Sequence, residues 1–93
     1  MSDAMEHARQ ELDEIDDRLL ELLAHRMRVS TRIGRLKADS GEAVIHPKRL
    51  EALLSRQRRR AARHGIDPDF AEALWRAIHE ESCRIQAQVI QSS

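Results

Sequence analysis

Apolar side chains recur at Leu12, Ile15, Leu19 and Leu22, give way to Arg26, and resume at Val29, Ile33 and Leu36. Steps of three and four place these positions on one stripe of an α-helix. The spacing predicts a first helix from about Asp3 or Ala4 to about Ala38, with no Gly or Pro before Gly34, ending in the polar stretch Asp39-Ser40-Gly41-Glu42. A second helix is predicted from near Pro47, suited to a first helical position, to His64-Gly65, with Gly65 as its C-terminal cap. Asp67-Pro68-Asp69 announces a third, an N-cap followed by proline, which runs to about Gln91. Its apolar face is Phe70, Leu74, Ile78, Ile85 and Val89, interrupted by Ser82 and flanked by Gln86. Trp75 and Phe70 fall at helical spacing with Leu74 and Ile78 and are assigned to the core. The chain is therefore expected to be all-α, with three helices in a single domain over residues 1–93.

The first helix implies a partner. About 33 helical residues span roughly 50 Å, whereas a compact chain of this length has a radius of gyration of only about 12 Å. One chain cannot cover such a seam. Its heptad-like spacing suggests pairing with the same helix of a second copy, as an intertwined helical homodimer. The alternative is a monomeric three-helix bundle whose first helix breaks near Gly34.

Composition narrows the setting. Sixteen basic residues balance sixteen acidic ones, so the net positive field of a general nucleic-acid binder is missing. The run RQRRRAARH, residues 56–64, offers Arg56, Arg59, Arg60 and Arg63 as a nucleic-acid-binding face or as a solvated helix face. With no interleaved aromatics for base stacking, the solvated face is the preferred reading. A single Cys83 cannot form an internal disulfide and fits a reducing cytoplasm. The start, MSDAMEHARQELDEIDDR, is too charged for a signal peptide, and no apolar run reaches membrane-spanning length. A cytoplasmic protein with neither nucleic acid nor membrane as partner is expected. His46, His64 and His79 show no metal-ligand spacing, and no metal site is expected.

Arg26 on the apolar stripe then becomes the leading chemical clue, because a guanidinium withdrawn from water requires an anion. Arg26 and Lys37 lie eleven residues, or three turns, apart and project from nearly the same side of the helix. Arg9 stands beside the start of the seam, and Arg49 opens the second helix. Singly, each cation has an ordinary structural role in an ion pair or at a helix end. Together with Ser82 and Gln86, the four cations suit a cavity that binds a small dianion.

The series Arg9, Leu12, Asp16, Leu19-Leu20, Leu22-Leu23, Arg26, Ile33-Gly34, Lys37, Arg49, Glu80, Ser82 and Gln86 resembles the all-helical AroQ-class, or type II, chorismate mutases. The resemblance extends from about residue 5 to residue 90. It implies an intertwined dimer with two equivalent sites, each completed by an arginine from the other subunit's first helix, and a cofactor-free [3,3]-sigmatropic rearrangement of chorismate to prephenate. By the same resemblance, Lys37 and Gln86 are the catalytic donors to the breaking ether oxygen. Arg26 and the other subunit's Arg9 hold the substrate carboxylates, and Arg49 and Ser82 complete the anion's surroundings. Some relatives carry glutamate at the position of Gln86, which must be protonated to donate; glutamine implies no acid requirement.

One stretch departs from the family pattern. Where chorismate mutases typically carry aspartate and glutamate to engage the ring hydroxyl, IHPKRLEALL, residues 45–54, has His46 and Leu50. This stretch and HGIDPDF look more like the isochorismate-pyruvate lyases and the 4-amino-4-deoxychorismate mutases, and Cys83-Arg84 leans toward the latter. His46 and Leu50 are thus candidate substrate-binding positions. Chorismate is the first expected substrate, with the amino analogue and isochorismate as alternatives. A reading of another class, a non-catalytic helical dimer or a nucleic-acid-binding module, remains beside it.

Overall fold

Rich in Leu, Ala, Arg and Glu and free of Pro, the first 40 residues favour one continuous helix. The structure, a computed structural model, describes residues 2–92 and shows that helix as α1 (Ser2–Ser40). Helix α2 spans Pro47–Arg63 and α3 spans Pro68–Ser92. Gly41 ends α1 with a φ of 76°, a left-handed conformation that suits glycine, and its N–H donates to the Lys37 carbonyl at 2.8 Å. At the end of α2, Gly65 takes φ 70°, its N–H donates to the Ala62 carbonyl, and the Ile66 N–H reaches back to that of Ala61. These bonds satisfy carbonyls that the helix end leaves open. Asp67 starts α3 by accepting the Asp69 N–H on its side chain at 3.1 Å.

Thirty-nine residues at about 1.5 Å each give about 58 Å, close to the 59 Å long axis of the whole chain. The shortest extent is 14 Å, little more than one helix thick, and the radius of gyration is 17.0 Å. The three helices therefore form a single layer. Helix α3 packs on both α1 and α2, and α1 and α2 do not pack on each other.

A layer one helix thick has no interior. Among the described residues, Leu54, Ala61 and Ala71 are its buried apolar residues, and no large side chain is fully buried. This corrects the assignment of Phe70 and Trp75 to a core: Phe70 is 59% exposed and Trp75 half-buried. Both line an apolar groove of about 520 Å³ with Leu19, Ile66 and Leu74.

The continuous first helix also excludes a break at Gly34. That residue instead marks the closest approach of α1 to α3: a Cβ there would sit 3.1 Å from the Gln86 Cα and 3.1 Å from the Val89 Cβ. Four residues earlier, Ser30 is buried too. Two small residues one turn apart bring the helices together.

Candidate functional site

At this crossing the polar residues of α3 meet the second half of α1. Ser82 and Gln86 lie one turn apart, each 6% exposed, and face Ser30, which is 3% exposed. Burial of so many polar atoms is tolerable only if they bond to one another. The Lys37 ammonium donates to the Gln86 Oε1 at 2.9 Å, and the Gln86 Nε2 donates to the Ser82 Oγ at 3.2 Å. Ser82 and Ser30 share a hydroxyl–hydroxyl bond of 2.5 Å, and the Ser30 Oγ donates to the Arg26 carbonyl at 3.1 Å. Lys37 also donates to the Val44 carbonyl at 3.2 Å, which ties the loop between α1 and α2 to the same cluster.

The cluster forms part of the wall of a cavity of about 640 Å³, within the usual range for small-molecule sites. Arg26, Lys37, His46, Arg49, Ser82 and Gln86, all singled out from the sequence, line it together. Two other expected site residues stand elsewhere. Leu50 is half-buried on α2 outside the lining, where Leu53 takes the wall position. Arg9 is exposed, 17 residues before Arg26 and so about 25 Å away along the helix. Sequence reasoning missed Ser30, Glu42, Val44 and the contributions of His79 and Cys83. Ser30 was legible in principle, since it stands one turn beyond Arg26 and one turn before Gly34. The Val44 carbonyl, a backbone atom in a loop, carries no side-chain signal.

Four cations, Arg26, Lys37, Lys48 and Arg49, line the cavity against one carboxylate, Glu42. Among the described residues, neither Arg26, Lys37 nor Arg49 is ion-paired; the two ion pairs, Arg58–Asp69 and Arg84–Glu81, lie elsewhere. Burial lowers the Arg26 pKa, and the neighbouring Arg49 lowers it further. His79 is held below its ordinary value by burial first, then by Arg26, Lys37 and Arg49, with Glu80 opposing. Its Nε2 lies 3.4 Å from the Cys83 Sγ on the cavity wall. Such a site attracts an anion, and its donors outnumber their protein acceptors. Lys37 has three N–H groups and Gln86 two; after the bonds above, each keeps one for a ligand.

A helical layer carrying a cavity of cations and buried amide and hydroxyl groups has the chemistry to receive a small anion. The pattern described as chorismate mutase type II matches residues 8–87, and the chain belongs to that family. It is 34% identical to the 4-amino-4-deoxychorismate mutase of Streptomyces venezuelae over 92% of this chain and 84% of that protein. Against the 4-amino-4-deoxychorismate mutase of Streptomyces pristinaespiralis, identity is 33% over 98% of this chain and 70% of that protein. The chorismate mutase of Methanocaldococcus jannaschii is 23% identical over 100% of this chain and 94% of its own length. Among the described residues, no helix is long and apolar enough to cross a membrane.

Proposed function

We propose that this chain is a chorismate mutase that rearranges chorismate to prephenate in the cavity between α1, α2 and α3. The observation that carries the reading is the Lys37–Gln86 pair at 2.9 Å, with one spare N–H on each, beside the unpaired guanidinium groups of Arg26 and Arg49. The reaction needs no nucleophile and no proton transfer, so positioning and electrostatics can supply its catalysis. Arg26 and Arg49 hold carboxylates and fold the enolpyruvyl arm over the ring. As the C–O bond breaks ahead of C–C bond formation, charge gathers on the ether oxygen, where Lys37 and Gln86 donate more strongly than in the ground state. Ser82 holds Gln86 in place.

The active unit in this reading is a homodimer. Arg9 lies too far along α1 to reach its own cavity, while Leu12, Ile15, Leu19 and Leu22 of the same helix are all exposed. Pairing with a second copy covers the leucines and delivers Arg9 to the partner's site. Residues 1–93 form one domain in this reading, and the free thiol of Cys83 fits a reducing cytoplasm.

A second substrate, 4-amino-4-deoxychorismate, is favoured by His46 on the cavity wall, where a carboxylate would suit a ring hydroxyl, and by the names of the two Streptomyces relatives. Parallel incubation of the purified protein with chorismate, 4-amino-4-deoxychorismate and isochorismate, followed by product identification, separates these readings. Prephenate formed fastest from chorismate supports the first. Release of pyruvate from isochorismate instead would assign a lyase, and no turnover of any of the three would leave a binding or scaffolding dimer.

A further inference from the structure

With the Ser30 hydroxyl donating to the Arg26 carbonyl, the bonds running from Lys37 to Arg26 take a single direction. An ammonium can only donate, so the atom of Gln86 facing Lys37 is its oxygen, and the amide nitrogen faces Ser82. The Ser82 oxygen therefore accepts from Gln86. At the far end, the Arg26 carbonyl can only accept, so the Ser30 hydrogen points to it. The Ser82 hydrogen must then be the one shared with Ser30, across 2.5 Å. Every hydrogen in this series has one acceptor, and none is left over from either serine.

Two consequences follow. The Ser82 hydroxyl, with its hydrogen committed to Ser30, is not a donor for a substrate carboxylate; it acts as an acceptor that holds Gln86. Ser30 in turn decides which way Ser82 points. Without the Ser30 oxygen, the Ser82 hydrogen loses its acceptor and swings toward other partners, including the Gln86 amide, whose nitrogen it would repel.

We propose that Ser30 is a positioning residue for the rearrangement: it accepts the Ser82 hydrogen and so fixes the Gln86 amide with its unused N–H available to the cavity. This rests on the chorismate mutase reading above. Ser30 is itself no part of the cation set and acts only through Ser82.

The test combines Ser30→Ala, Ser82→Ala and the double variant with an NMR probe of the Gln86 side-chain amide, its signals assigned by their loss in Gln86→Ala. Alanine favours the helix, and circular dichroism verifies folding. In the wild-type background, Ser30→Ala is expected to lower kcat about three- to tenfold with KM within about twofold. In the Ser82→Ala background the same substitution is expected to change kcat less than about twofold, because its only route is gone. The Gln86 amide signals of Ser30→Ala should broaden or shift toward those of a freely turning amide. Equal losses in both backgrounds, or an unaltered Gln86 signature in Ser30→Ala, would overturn the assignment. A wild type inactive on all three dianions overturns the proposed function instead, and the NMR comparison then decides by itself whether Ser30 orients Gln86.

Discussion

The two halves of α1 carry one apolar stripe and have opposite surroundings. Every side chain described from Asp3 to Leu22 is exposed, including Leu12, Leu19 and Leu22. From Leu23 to Ala38, by contrast, the helix lies against α3, closest at Ser30 and Gly34, with Val29 and Ile33 of the stripe half-buried in the cavity wall. The stripe therefore continues past the contact that the chain makes with itself. A helical overhang of some 20 residues gains little stability alone, and an apolar patch of that length marks an interaction surface. One half of α1 builds the chain's own cavity, and the other is available to a second copy.

The comparison breaks most sharply at Arg26. Arg26→Ala is expected to lower kcat/KM about a hundred- to a thousandfold while circular dichroism and sedimentation remain those of the wild type, since the guanidinium has no counter-ion to orphan. Collapse of the assembly with activity retained per folded site would reverse the assignment. The matching change in the other half is Leu19→Asp. A leucine buried between chains contributes about 1.5–3 kcal/mol, so sedimentation velocity should show self-association weakened by at least about tenfold, and activity should fall only in step with dissociation. Unaltered association would place the interface elsewhere.

Gly34→Ala probes the junction itself. Its Cβ would press on the backbone and Cβ of α3 at 3.1 Å, and overpacking of this kind costs about 1–3 kcal/mol. A thermal melt should show the loss, and turnover should fall with it because Gln86 is displaced. A gain in melting temperature would mean that the two helices separate freely.

The smallest expected effect is a pH dependence. Burial and the neighbouring cations keep His79 below its ordinary value of 6.5. As pH falls, the unfolded chain takes up this proton before the folded one does, so stability drops below about pH 6.5 and continues to drop until the folded His79 is itself protonated. His79→Gln removes the linkage. Melting temperatures between about pH 7.5 and 5.5 should decline less in that variant; an equal decline would trace the effect to other groups.

Much of this was legible in the sequence. Proline and glycine punctuation placed all three helices to within a few residues, because Pro47, Gly65 and Asp67-Pro68 act locally and need no tertiary context. Arg26 was legible as well, since charge on an apolar stripe is a chemical anomaly visible without coordinates, whereas Lys37, Arg49 and Gln86 came into view through their spacing and the family resemblance. What hydrophobic patterning did not show was which face α1 turns to its own chain. Small residues carry no hydropathy signal, so the contact of Ser30 and Gly34 with α3 left only their one-turn spacing as a clue, and the Ser30–Ser82 bond left none. Phe70 and Trp75 misled for a related reason: helical spacing identifies a face that needs cover, and here the chain alone does not cover it.

The division of labour along α1 is tested most directly by co-expressing a chain carrying Arg9→Ala with one carrying Lys37→Ala and purifying the mixed dimer. Each homodimer should be nearly inactive. In the mixed dimer, the cavity with an intact Lys37 receives its Arg9 from the other chain, and one of two sites is whole, so about half the wild-type turnover should return. A verified mixed dimer with no more activity than its parents would contradict the account, because Arg9 and Lys37 would then serve one and the same chain.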